Sequence, residues 1–137
     1  MNLDPSGFVA DPALIESLEK GSTHIPCDAD RILFCQGEAP SVLYILKSGR
    51  ATLAMTSVLG EEIISATAGP GSLLGLPGLI GNQPYTLTAI ALAGAEVRYV
   101  TRDSFTNLMG ANPMLAFKIL AVLAAEVRSA RSVILLR

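Results

Sequence analysis

The amino-acid sequence predicts a mainly β domain, a sandwich or a barrel, with helices at its two ends. Three observations lead to this fold class. Six short segments are rich in β-branched or aromatic residues, turn-forming residues separate them, and neighbouring segments mostly begin roughly ten residues apart. Such a pattern is typical of sandwiches and barrels. Before the first segment and after the last one, apolar residues recur at helical spacing instead.

The elements follow in order along the chain. A short helix is expected to begin at Asp11-Pro12, because aspartate is a common N-cap and proline suits the first helical position, and to end at Gly21. The six predicted strands come next: RILFC (31–35), VLYIL (42–46), ATLAMTSV (51–58), EIISATA (62–68), YTLTAIAL (85–92) and EVRYV (96–100). Turn signals such as KSGR and GPGS lie between them.

Two further helices are expected after the last strand. Asp103 can cap a helical turn through Met109 that Gly110 ends, and Asn112-Pro113 is a second start signal, after which the chain is helical to its end. Apolar residues of this last helix alternate in steps of three and four, the spacing of a dimer seam: Leu120, Leu123, Val127, Ala130 and Ile134. A helix packed on its own barrel is the alternative.

Length and composition limit the class of protein. The chain has 137 residues, enough for one domain, and half of them are hydrophobic, which argues against disorder. The net charge of −2 supplies no basic surface for nucleic acid. The N-terminus MNLDPSGF lacks the basic and apolar regions of a signal peptide, and no long apolar run resembles a membrane helix. We therefore expect a cytoplasmic protein without nucleic-acid or membrane contacts.

Residues that carry catalytic chemistry are few and scattered. His24 is the only histidine, and no G-x-S-x-G, phosphate-loop or paired-carboxylate pattern is present. Cys27 and Cys35 are the only cysteines, whereas structural zinc sites and iron–sulfur clusters use four protein ligands. No other feature of the sequence indicates a haem ligated by His24 or Cys27. We expect no enzyme, no metal and two free thiols.

The segment 69–86, GPGSLLGLPGLIGNQPYT, contains five glycines, three prolines and no charged residue. The charge-free stretch extends from Ile63 to Ala95. Glycine lets a backbone approach a bound group closely, so this loop is a candidate binding loop. Its G-L-P-G-L-I-G run does not match the dinucleotide pattern G-x-G-x-x-G, and it is predicted to lie between strands rather than before a helix.

Several motifs occur in the order and at the spacing found in one family. The run FCQGEAPSVLYILKSGRATLAM (34–55) contains a G-E pair, an apolar-Tyr-apolar strand and a Ser-Gly turn. GPGSLLGL (69–76) is similar to G-x-G-D-x-x-G-E, and PYTLTAIALAGAEV (84–97) to P-R-[ST]-A-T-V-x-A-x-x-x-x-E-V. Over residues 13–137 the sequence therefore resembles the cyclic nucleotide-binding domain, and it is most similar to the effector domain of Crp/Fnr-type bacterial regulators.

The resemblance implies an eight-stranded jelly-roll, or double-stranded β-helix, followed by a long helix that forms the dimer interface. It places the phosphate-binding cassette at Gly75, Leu76, Pro77, Gly78, Tyr85 and Thr86. The family's glutamate, which takes the ribose hydroxyl, falls on Leu76, and its arginine, which pairs with the phosphate, falls on Tyr85. The purine-contacting residues of the long helix fall near Ala130 and Arg131.

These replacements make ordinary binding of cAMP or cGMP a disfavoured prediction. Two lost hydrogen bonds to charged groups cost roughly 3–6 kcal/mol, which is about two to four decades of affinity. Three alternatives stay open for this domain. It binds a small apolar or amphipathic effector, it is a ligand-free dimerisation module, or it is a cyclic nucleotide sensor with an unorthodox cassette.

We expect residues 1–137 to form one domain, with the β-roll at about 25–101 and the helical part at about 103–137. This domain is expected to be a regulatory or sensor module, a homodimer through its last helix, and without a DNA-binding domain. A stand-alone module and the N-terminal part of a transcription regulator are both compatible with the sequence. The sequence does not identify the small-molecule effector.

Overall fold

A computed structural model describes the backbone of residues 2–135 and the side chains of residues 2–128. The chain begins with a 3₁₀ turn, Pro5–Phe8, and the helix α1, Pro12–Glu19. The predicted start of α1 is confirmed, since the Asp11 carboxylate accepts a hydrogen bond of 2.7 Å from the backbone N–H of Ala13. This bond satisfies one of the free donors at the helix N-terminus.

Eight strands follow and form two antiparallel four-stranded sheets. The strands are β1 Thr23–Ile25, β2 Arg31–Phe34, β3 Val42–Ser48, β4 Ala51–Thr56, β5 Glu62–Ala68, β6 Ser72–Leu74, β7 Thr88–Ala91 and β8 Glu96–Thr101. One sheet has the order β1-β8-β3-β6 and the other the order β2-β7-β4-β5. The expected eight-stranded β-roll is confirmed.

Three helices complete the described part of the chain: α2 Leu76–Gly81, α3 Arg102–Ala111 and α4 Pro113–Leu135. No single helix in this part is long and apolar enough to cross a membrane, although α3 and α4 reach that length and composition as a pair bent by 120°. The long final helix and its start at Pro113 agree with the sequence.

The structure corrects several of the predicted boundaries. The G-L-P-G-L-I-G run forms the helix α2, not an irregular link between strands, and the strand predicted at 85–92 covers only Thr88–Ala91. Thr101 and not Asp103 caps α3, because its hydroxyl accepts from the Ser104 N–H at 3.2 Å. Gly110 lies inside α3, where it does not end the helix.

The core has two layers that share the strand β3. On one face Leu46 packs between the two sheets, and on the other Leu43 and Ile45 pack beneath α1, α3 and α4. Because side chains alternate across a strand, burial of both faces requires the continuous apolar run VLYIL. The inner layer surrounds the cavity described below, and the outer layer attaches the helices to the roll.

Candidate functional site

A cavity of about 250 Å³ lies inside the roll, with residues 123–127 of α4 in its wall. Its lining comes from the N-terminal segment, β2, β4, β5, the α2 region and α4. The wall is apolar for the most part, as in these six side chains: Phe8, Phe34, Leu53, Met55, Ile64 and Leu123. A cavity of this kind is suited to an apolar small molecule.

Five of the six predicted cassette residues line this cavity: Gly75, Pro77, Gly78, Tyr85 and Thr86. Leu76 does not, because its side chain is 0% exposed and packs in the outer core, in one cluster with Leu14 and Leu79. A glutamate at Leu76 would therefore place a carboxylate among apolar side chains. Leu76 therefore contributes to the packing of the outer core and not to the lining of the cavity.

Tyr85 occupies the position at which the resemblance places the phosphate-pairing arginine, and its side chain is 5% exposed. The hydroxyl donates to the Val42 carbonyl oxygen at 2.9 Å and accepts from the Ser41 N–H at 3.2 Å. The ring stacks on Phe34, with the two ring centroids 4.1 Å apart. Both the polar and the apolar parts of Tyr85 are thus engaged with the protein itself.

Two glycines make room for the Tyr85 ring. A Cβ atom at Gly75 would lie 3.0 Å from its Cε1 atom, and one at Gly78 would lie 3.2 Å from Cδ1. Gly75 also has a φ of +90°, which side chains rarely adopt. The glycines of the loop therefore bring the backbone of α2 against an aromatic ring of the same chain.

Glu126 is the one acidic or basic side chain in the lining of the cavity as described. Its Oε1 atom is sealed from solvent and has no hydrogen-bond partner among the described residues. Burial raises the pKa of this carboxyl to about 8. Sequence reasoning missed Glu126, although it follows Ile119 and Val122 at helical spacing on the buried side of α4.

The outward side of α4 carries a second apolar surface, which we call the α4 face: Phe117, Leu120, Ala124 and Val127. Phe117, Leu120 and Val127 are 67%, 57% and 55% exposed. Of the predicted seam, Leu120 and Val127 lie on this face, whereas Leu123 packs partly buried against the outer core. The side chains of Ala130, Arg131 and Ile134 lie outside the described residues.

Metal chemistry has no visible basis in the described part of the chain. No group of three or more His, Cys, Asp or Glu side chains there is arranged to hold a metal ion. Cys27 and Cys35 are free thiols, and Cys27 is buried. His24 is exposed on β1.

Two antiparallel sheets beside a partly open cavity, with a long helix in the cavity wall, define a β-roll with a candidate binding site. The family model described as "Cyclic nucleotide-binding domain" matches residues 25–112 of this sequence. The chain belongs to that family.

Two relatives of this chain are named as a receptor protein and a regulatory protein. It is 31% identical over 98 residues to the "Cyclic AMP receptor protein" of Thermus thermophilus, covering 72% of this chain and 45% of the relative. It is 31% identical over 111 residues to the "Anaerobic regulatory protein" of Aggregatibacter actinomycetemcomitans, covering 81% and 43%. The chain thus spans less than half the length of these two relatives.

A solved structure with the same fold is the catabolite activator protein of Thermus thermophilus. It superposes with a TM-score of 0.77 at 26% sequence identity, covering 97% of this chain and 62% of the other. The resemblance to Crp/Fnr-type regulators inferred from the motifs is therefore confirmed as homology. The fold class, an antiparallel β-roll with flanking helices, is confirmed with it.

Proposed function

We propose that this chain is a regulatory sensor domain of the Crp/Fnr type whose cavity does not bind cAMP or cGMP in the usual way. The observation that carries the proposal is the position of Tyr85. Its ring is buried on Phe34 and its hydroxyl is bonded to Val42, at the place assigned to the phosphate-pairing arginine. The arginine position of the cassette thus holds a tyrosine that already bonds and stacks within the protein.

Electrostatics support the same conclusion. A cyclic phosphate carries a negative charge, and the described lining offers it no lysine or arginine. The one acidic side chain there, Glu126, would repel the phosphate when it is ionised. Burying an anion without a cationic partner is among the most costly events in a protein interior. Loss of the two charged contacts of the cassette costs roughly 3–6 kcal/mol of binding free energy.

A small-molecule ligand that fits the cavity is nevertheless favoured over a ligand-free role for the domain. The cavity of about 250 Å³ is larger than packing defects in most small domains, and its wall is apolar. We therefore place a ligand-free dimerisation module second. A cyclic nucleotide sensor with an unorthodox cassette is the third candidate, and it is the one that a titration with nucleotide tests directly.

We further propose that the domain dimerises through the α4 face. Phe117, Leu120, Ala124 and Val127 follow steps of three and four, as in a coiled-coil seam, and three large apolar side chains there are exposed. Val127 also belongs to the cavity lining. Occupancy of the cavity would therefore act on the same helix that joins two copies, which is a route from ligand to dimer geometry.

The proposal concerns sensing and dimerisation in one domain, residues 1–137. It assigns these residues no catalysis, no metal and no contact with nucleic acid or membrane, and it places the domain in the cytoplasm, as befits a homologue of transcription regulators. Either a stand-alone module or the N-terminal part of a regulator can perform this role. The DNA-binding activity of a longer protein lies outside it.

The experiment is thermal and urea unfolding with and without cAMP or cGMP. A ligand present at about 100-fold excess over its dissociation constant stabilises a protein by about 2.7 kcal/mol. We expect no change in the unfolding midpoint at millimolar nucleotide. A shift that saturates at micromolar nucleotide would contradict the proposal and favour the unorthodox cyclic nucleotide sensor.

A further inference from the structure

Glu126 is an acidic side chain in an apolar cavity wall. Its Oε1 atom is sealed from solvent without a hydrogen-bond partner among the described residues. Buried polar atoms in native proteins nearly always have a partner, so an isolated one calls for a specific explanation. The explanation that fits its position is a partner that enters the cavity.

The backbone of α4 is held firmly at this point. A Cβ atom on Gly7 would lie 3.1 Å from the carbonyl oxygen of Ala125 and 3.4 Å from the Cα of Glu126. The 3₁₀ turn Pro5–Phe8 therefore packs directly on the backbone that carries Glu126. A glycine at this contact fixes where the carboxyl enters the cavity.

The size of the cavity limits its occupant. An apolar cavity of about 150 Å³ holds a benzene molecule, so the 250 Å³ measured here suits a molecule of roughly ten heavy atoms. Most of its lining is hydrocarbon, from residues such as Leu53, Met55 and Ile64. The occupant must therefore be apolar over nearly all of its surface.

We propose that the cavity binds an uncharged apolar molecule of roughly ten heavy atoms with one hydroxyl group, and that this hydroxyl donates a hydrogen bond to Oε1 of Glu126. This inference rests on the proposed function and names the ligand class of the same site. A hydroxyl suits a carboxyl because it can donate and accept at once. An anionic head group would be buried without a cationic partner, at the same kind of cost as a phosphate.

The protonation of Glu126 gives the proposal a pH dependence. Burial, the one cause of the shift, raises the pKa of Glu126 to about 8, so the carboxyl is mostly neutral at pH 7. The ionisable groups on the segments around this site are Tyr85 in the cavity lining, Asp4 before the 3₁₀ turn, and Arg128 on α4. Hydrogen bonds from Ser6 lower the pKa of Asp4, so it stays ionised at neutral pH.

A bound molecule removes more water from the carboxyl, and its hydroxyl bonds to the neutral acid, since it accepts from the carboxyl O–H while it donates to the other oxygen. Both effects raise the pKa of Glu126 further. Protonation is then favoured in the complex, so binding of an uncharged ligand weakens as the pH rises above about 8. The Glu126→Gln variant keeps a hydrogen-bonding head group of similar size without an ionisable proton. It should bind the same ligand with an affinity that does not change with pH.

The test uses the whole chain and two matched probes, 2-naphthalenemethanol and 2-ethylnaphthalene, which differ in a hydroxyl against a methyl group. Calorimetry or probe fluorescence gives both affinities for the wild type, Glu126→Gln and Glu126→Leu. We expect wild type to prefer the alcohol, and Glu126→Leu to lose about fivefold to tenfold for the alcohol while the hydrocarbon binds at least as well. Unfolding curves check that each variant is folded.

The outcomes separate this inference from the proposed function. Binding of both probes equally, with no effect of Glu126→Leu and no pH dependence, overturns the assignment of the hydroxyl to Glu126 but leaves an apolar ligand site. Failure of both probes to bind overturns the ligand class, while absence of nucleotide binding still supports the proposed function. Micromolar affinity for cAMP contradicts the proposed function itself.

Discussion

Replacement of the cavity carboxyl by an amide should make the stability of the protein less dependent on pH. In the folded wild type, burial raises the pKa of Glu126 from 4.5 to about 8. The folded state therefore holds a proton that the unfolded state has released, and folding is favoured at low pH. The contribution of Glu126 to the free energy of unfolding is fully present below about pH 4.5. It is lost as the pH rises through about 8.

The magnitude follows from these two values. Each pH unit between them changes the free energy of unfolding by about 1.4 kcal/mol. The interval from 4.5 to about 8 thus corresponds to about 5 kcal/mol as an upper limit, and relaxation of the side chain toward water reduces it. A small domain has only about 5–15 kcal/mol in total, so the effect is large enough to measure.

The assay is urea unfolding followed by circular dichroism across this pH range, for wild type and Glu126→Gln. We expect the variant to gain about 3–5 kcal/mol relative to wild type between acidic and mildly alkaline pH. Glu16→Gln is the matched control, because Glu16 lies on the exposed side of α1. A stability difference between Glu126→Gln and wild type that stays constant with pH would refute the reasoning.

Three further predictions concern the loop, the α4 face and the backbone. Tyr85→Phe removes the hydroxyl that donates to Val42 and should lower the free energy of unfolding by about 1–2 kcal/mol in urea titrations, with the fold retained. Leu120→Glu should convert a dimer to a monomer in light scattering, whereas Ile32→Glu, at another exposed apolar position, should not. Gly75→Ala should lower the free energy of unfolding by about 1–3 kcal/mol, because φ is +90° and the ring of Tyr85 is close. Gly110→Ala is the control, because Gly110 lies in α3 with open space around it. It should be neutral or stabilising in the same measurement.

The strands that could be predicted are those whose residues carry a continuous signal. β3 was predictable because both of its faces are buried, so VLYIL is apolar without interruption. β1 and β6 are only three residues long, too short for any period to appear. β6 also lies among glycines and prolines, and it is held by pairing with β3 rather than by its own propensity.

The position of the candidate site could be predicted from the sequence, but the packing and burial of its side chains could not. Motif order located Gly75, Gly78, Tyr85 and Thr86, which do line one cavity. Leu76 is a different case, since only packing reveals that its side chain turns to the outer core. Glu126 could not be assigned because a single carboxylate on a helix is normally solvated, and its burial depends on the 3₁₀ turn and the cavity walls around it.

In the proposed function, Tyr85 and the apolar wall replace the charged residues that hold a cyclic nucleotide. Isothermal titration of the purified chain with cAMP and then cGMP tests it most directly, after unfolding and refolding to remove carried-over nucleotide. We expect no saturable heat up to millimolar nucleotide. A dissociation constant in the micromolar range, equivalent to roughly 8 kcal/mol of binding free energy, would contradict it.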